Sequence, residues 1–159
     1  MNFWRAIALL AFFPSAAVAL SCAAPDAARS FARYDAADET YVVVRGAVTL
    51  EEAALPRGQT GGQEPPRLTR VMGRLRGLSL TKGGFDRPFS QDLTLEVRCI
   101  GPWCGSLRDG EDVLAFVRKA AEGYALEVNP CGGEVLVAPT PQVLDAVRRC
   151  FETRACAGP

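Results

Sequence analysis

Apolar and polar residues alternate with a period of two over several stretches of this chain, the mark of half-buried strands. The run Tyr41-Val42-Val43-Val44-Arg45-Gly46-Ala47-Val48-Thr49-Leu50 is the strongest strand signal: it is β-branched, and Val42, Val44, Val48 and Leu50 share one face. Arg67 to Leu80 predicts a second strand, with Val71, Gly73 and Leu75 on one side and Arg70, Arg74 and Arg76 on the other. Its apolar phase then slips, because Leu78 and Leu80 fall on the arginine side; beside Gly77 this predicts a β-bulge or a sharp bend, the kind of feature that lets a sheet close. Lys82-Gly83-Gly84-Phe85 is a turn. Leu93, Leu95, Val97 and Cys99 alternate with Thr94, Glu96 and Arg98 as a third strand. Val113 to Val117 is apolar on both sides and is expected to be buried. Tyr124, Leu126 and Val128 alternate again, and Val135 to Val137 follows the turn Asn129-Pro130-Cys131-Gly132-Gly133.

Two segments carry a helical period instead. Ala27, Phe31 and Tyr34 stand at i, i+4 and i+7, a short helix with one apolar face. Near the end, Thr140 is the expected N-cap, Pro141 takes the first helical position where a missing N–H costs nothing, and Leu144, Val147 and Phe151 form the buried stripe. Glu51 to Pro66, with three glycines and three prolines, is a long loop. Five or six short strands and a terminal helix predict a small barrel or sandwich.

The first residues follow a different logic. One positive charge at Arg5, an apolar run from Ala6 to Phe13, a break at Pro14 and the small residues Ala17-Val18-Ala19 form a signal peptide, residues 1–19, cut after Ala19. The apolar run is shorter than the ~20 residues that span a bilayer, which argues against a membrane anchor. The mature domain is then residues 20–159, secreted or periplasmic. The alternative is a lipoprotein anchored at Cys22, since Ala19-Leu20-Ser21-Cys22 loosely resembles a lipoprotein processing site. Cysteine parity argues against it: Cys22, Cys99, Cys104, Cys131, Cys150 and Cys156 all lie beyond the cut, and an even count in an exported chain reads as three disulfides.

Charge and composition remove several function classes. Loss of residues 1–19 leaves 17 basic against 18 acidic residues, a poor balance for a nucleic-acid binder. The chain has no histidine, so it has no histidine base, no histidine-containing triad and no imidazole metal ligand. No Cys-x2-Cys spacing exists for a closed metal site, and neither a metal nor another cofactor is expected. No nucleophile–base pair is visible, so the chain is not expected to be an enzyme.

The segment Cys104-Gly105-Ser106-Leu107, then Asp109-Gly110, Val113 to Val117, Ala121-Glu122-Gly123-Tyr124-Ala125-Leu126-Glu127-Val128 and Cys131, resembles the netrin-like domain. It is most similar to the inhibitory domain of the tissue inhibitors of metalloproteinases, whose first strand Tyr41 to Val48 also resembles. The match covers roughly 60 residues in two blocks in the family's order. It implies an OB-type five-stranded barrel with helices packed outside, hence a mainly β, disulfide-stapled fold with a short N-terminal and a C-terminal helix. It also implies a Cys22–Cys131 disulfide. The family partner of Cys104 is absent and Cys99 is an extra cysteine; Cys99 and Cys104 can close the short loop between them, and Cys150 and Cys156 remain to close the end of the last helix. Six cysteines allow 15 pairings. Family inhibitors begin Cys-x-Cys and chelate a protease zinc through the first cysteine. Here Leu20 stands in its place, so inhibition by that route is not expected.

Three further features invite a functional reading. Arg70, Arg74 and Arg76 form a basic stripe on a face that OB-type barrels use for oligosaccharides, although a solvated face with acidic partners is the blander reading. Trp103, between Pro102 and Cys104, is either a partner anchor or a lid on its own disulfide. Asp109, Glu111 and Asp112 around Gly110 are read as a solvated turn. The expected function is a non-catalytic binding or inhibitor-like module with a protein partner of unknown identity; the alternative is an envelope accessory domain that binds an anionic polymer such as a polysaccharide.

Overall fold

The computed structural model describes residues 20–58 and 62–156. The signal peptide expected at residues 1–19 therefore lies outside the described residues. The chain runs α1 (Ala27–Asp35), β1 (Tyr41–Leu50), a 3-10 turn (Glu52–Ala54), β2 (Leu68–Thr81), β3 (Gly84–Ile100), β4 (Trp103–Cys104), β5 (Glu111–Ala120), β6 (Gly123–Val128), β7 (Val135–Val137) and α2 (Pro141–Thr153). Among the described residues no helix is long and apolar enough to cross a membrane.

Five strands form a closed ring in the order β1-β2-β3-β6-β5 and back to β1. All neighbours are antiparallel except β3 and β6, which run parallel from Thr94↔Ala125 to Val97↔Val128. β5 closes the ring on β1, from Tyr41↔Arg118 to Val48↔Glu111. β7 adds to β5, and the two-residue β4 folds back on the end of β3. This is the mainly β, five-stranded OB-type arrangement expected, with one helix towards each end of the chain.

Two cores explain why some strands alternate and others do not. Inside the ring, Val44, Val48, Val71, Leu75, Leu95, Val113, Ala115 and Val117 pack together. Outside it, α1 and α2 cover one wall and bury Phe31, Leu80, Leu114, Phe116, Val147 and Cys150. β5 lies between the two, so Val113–Val117 is apolar on both faces and all five residues are fully buried. Burial of a residue such as Phe116 contributes about 2–3 kcal/mol. α2 begins as expected, with the Thr140 hydroxyl accepting a hydrogen bond from the Val143 N–H at 3.4 Å; α1 is capped in the same way by the Asp26 carboxylate, which accepts from the Arg29 N–H at 3.0 Å.

The second core also corrects the reading of β2. Its register with β3 is unbroken past Gly77 and shifts only between Ser79 and Leu80, where Asp86 of β3 is the extra residue. Leu80 sits on the outer face because the helices bury that end of the strand, not because the phase slips at Gly77; Leu78, one step earlier, remains exposed. β3 is also longer than its alternating stretch, starting at Gly84 and not at Leu93. Pro88 hid this. It is tolerated because β6 joins β3 only from Thr94, so the first half of β3 has a strand on one side only.

Three disulfides staple the ring: Cys22–Cys131, Cys99–Cys104 and Cys150–Cys156. The first ties the segment before α1 to the turn after β6, across 109 residues of sequence. The third joins α2 to the segment that follows it, next to the left-handed Arg154 that ends the helix.

Candidate functional site

Residues 20–26 form a strap, neither helix nor strand, that leads into α1. Leu20 is half-buried, Ser21 to Ala24 are exposed, and Cys22 fastens the strap to the turn between β6 and β7. That turn is built for the purpose. The Asn129 side chain accepts the Cys131 N–H at 3.0 Å, and Gly132 and Gly133 take φ of 72° and 114°, a left-handed backbone that other residues adopt only with strain. The strap then forms one wall of a cleft of about 650 Å³, whose other walls are Cys104 to Leu107 and the start of α2 at Thr140 and Val143.

The Cys99–Cys104 hairpin adjoins this cleft. Gly105 leaves it so close to β6 that a Cβ there would lie 2.1 Å from the Val128 carbonyl oxygen. Ile100 and Trp103 face one another across the hairpin. Gly101 turns with φ of 55°, and a Cβ on it would touch the Trp103 ring at 3.8 Å. Trp103 thus half-buries itself over its own loop, while Ile100 is 49% exposed. Cys22, Cys104 and Trp103 therefore stand near the same end of the ring.

The three arginines lie elsewhere, on the outer face of β2, and two of them are balanced from β3. Arg74 makes a two-pronged contact with Asp92, Nε to Oδ1 at 2.7 Å and Nη2 to Oδ2 at 2.8 Å. That hydrogen bonding holds the Asp92 carboxyl below its ordinary range and the Arg74 guanidinium above its own. Arg70 is 3.6 Å from Glu96, which also takes Arg118 of β5 at 3.0 Å. Arg76 stands opposite Ser90. The acidic turn is likewise consumed by structure: Asp109 accepts the Leu50 N–H at 2.9 Å, Glu111 accepts the Arg108 N–H at 2.9 Å, and Asp112 is 3.8 Å from Arg45.

One titratable residue had no signal in the sequence. Glu134, two residues after the Gly132 bend, is only 7% exposed. Its carboxylate accepts the Glu127 N–H at 2.6 Å. Glu127 is engaged with Arg98 at 2.5 Å, and no ion pair to Glu134 exists among the described residues. Burial pushes the Glu134 carboxyl up to about 7; the neighbouring Glu127 and Glu96 charges add to this, while the backbone hydrogen bond and Arg118 oppose it. The turn brings this position to α1, where a Cβ on the preceding Gly133 would lie 3.7 Å from the Tyr34 hydroxyl oxygen.

No protein-family model, curated protein or solved structure matches this chain.

Proposed function

We propose that the chain is an exported, non-catalytic binding module of netrin-like type, and that its partner is a protein received at the strap end of the ring. The observation that carries this reading is the Cys22–Cys131 fastening, which fixes residues 22–25 as one wall of the 650 Å³ cleft. A contact segment held in place before binding loses less conformational entropy on association. The half-exposed Ile100 and the neighbouring Trp103 supply the apolar anchor that protein interfaces favour. The same disulfide is the one implied by the netrin-like resemblance.

The arginine stripe supports this choice by contrast. With Arg70 and Arg74 already facing carboxylates, that face offers an anionic polymer little unbalanced positive charge. The test uses the oxidised chain starting at Leu20, carrying a photo-crosslinker at Ser21 and exposed to exported proteins and, separately, to acidic polysaccharide. Saturable crosslinking to one protein is expected, lost with Trp103→Ala and kept when Arg70, Arg74 and Arg76 are all changed to Ala. Salt-sensitive retention of the polysaccharide that vanishes in the arginine variant, with no protein crosslink, would replace this reading with the polymer-binding one.

A further inference from the structure

The ring wall is open at one place. β1 pairs with β5 from Tyr41↔Arg118 but with β2 only from Val44↔Ser79. Past the irregularity at Ser79 and Leu80, β2 stays with β3 and leaves β1. Tyr41–Val43 therefore have a strand on one edge and none on the other. A groove of about 450 Å³ enters at this breach, beneath the C-terminal ends of α1 and α2 and at the opposite end of α2 from the strap cleft.

Its lining is aromatic. Tyr34 stands between Tyr41 and Phe116, with ring centroids 4.7 and 5.1 Å away, and Phe31 meets Phe151 edge-on at 6.2 Å. The rim is charged and not balanced. Arg154 pairs with Asp35 and also lies over the Phe151 ring at 5.5 Å, so its charge is engaged. Arg87 from β3 and Lys119 from β5 line the groove, are exposed, and enter no ion pair among the described residues. Against these two cations the rim sets one further carboxylate, Glu39.

We propose that this breach is a binding site for a small amphiphilic anion, its aliphatic or aromatic body against the rings and a single carboxylate or equivalent head between Arg87 and Lys119. The volume falls within the range of small-molecule sites, which combine apolar walls with a few convergent polar groups. The open edge of β1 adds main-chain polar groups at the mouth that no strand claims on the β2 side. A cationic or neutral amphiphile of the same length would use the rings and forgo the head-group contact.

Octanoate, octanol and octylammonium, titrated into the oxidised full chain, test the site by calorimetry and by NMR. Octanoate is expected to saturate and to bind at least about tenfold more tightly than the other two. Its shift perturbations are expected to centre on Tyr34, Tyr41 and Phe151. Arg87→Glu combined with Lys119→Glu, both at exposed positions, is expected to abolish the preference for octanoate without moving the unfolding midpoint. No saturable octanoate binding, equal binding of octanol, perturbations centred on another surface, or an unchanged preference in the charge-reversed variant would each overturn the proposal.

Discussion

Gly46 faces Gly77 across β1 and β2: a Cβ on Gly46 would sit 2.1 Å from the Arg76 carbonyl oxygen, and one on Gly77 would sit 2.0 Å from that of Arg45. Both obstacles are backbone, so neither can rotate aside. The pair lies next to Val44 and Val48, whose side chains fill the ring interior, and Gly46 is paired on its other edge with Val113. β1 is thus held on both edges at this point. Gly46→Ala or Gly77→Ala is expected to cost about 3 kcal/mol or more, at the upper end of overpacking effects. Urea unfolding under oxidising conditions measures it; a loss below about 1 kcal/mol would mean that the strands separate there at little cost.

The three disulfides should contribute unequally. Cys22–Cys131 spans 109 residues and Cys99–Cys104 only 5. In the chain-entropy model the long bridge stabilises by about 4–5 kcal/mol and the short one by about 2. Replacing Cys22 and Cys131 by Ser should therefore lower stability by roughly twice as much as the same change at Cys99 and Cys104. Non-reducing peptide mapping checks the pairing itself, and a Cys22–Cys104 link would contradict it.

Glu134 makes stability depend on pH near neutrality. Its carboxyl is raised from 4.5 to about 7 in the fold, so the native state holds a proton that the unfolded chain has lost. The contribution is fully present below pH 4.5 and is lost as pH rises to about 7. On the order of 2–3 kcal/mol is at stake. Glu134→Gln keeps an acceptor for the Glu127 N–H and removes the titration, so the slope of stability between pH 5 and pH 7 should flatten. A wild-type profile that is already flat over that interval would show that water reaches the carboxylate.

The zinc-chelating route should be closed to a chain that begins at Leu20. Its α-amine lies two residues before Cys22, the residue that Cys131 holds in place. Assayed against a panel of zinc proteases, this form is expected to show no tight inhibition. A second preparation beginning at Cys22 places the amine on the fastened residue itself. Nanomolar inhibition by the Leu20 form would overturn the expectation, and inhibition by the Cys22 form alone would make the signal cleavage point the deciding variable.

The strands at Tyr41–Leu50, Val113–Val117, Tyr124–Val128 and Val135–Val137 and the start of α2 could be read directly, because side-chain period and capping chemistry are local properties. The Cys22–Cys131 bond came through family resemblance, and the strap end of the ring was visible only as the separate signals Leu20, Cys22, Cys104 and Trp103. Local reading failed where one strand passes between two environments. Leu80 looked out of phase because nothing in β2 announces that α1 and α2 cover its outer face, and the alternation of β3 is clear only from Leu93, while Pro88 is acceptable in its first half only on an edge that the ring order defines. The arginine stripe was legible, but its balance was not: Asp92 and Glu96 become partners only once β3 is in register. The Tyr34–Phe116 contact of the groove joins residues about 80 positions apart, and the interior position of Glu134 sets it beside Glu96, about 40 positions earlier in the chain. Periodicity tells which face of a segment avoids water, whereas which face of another segment meets it depends on chain closure over distances that no local pattern encodes.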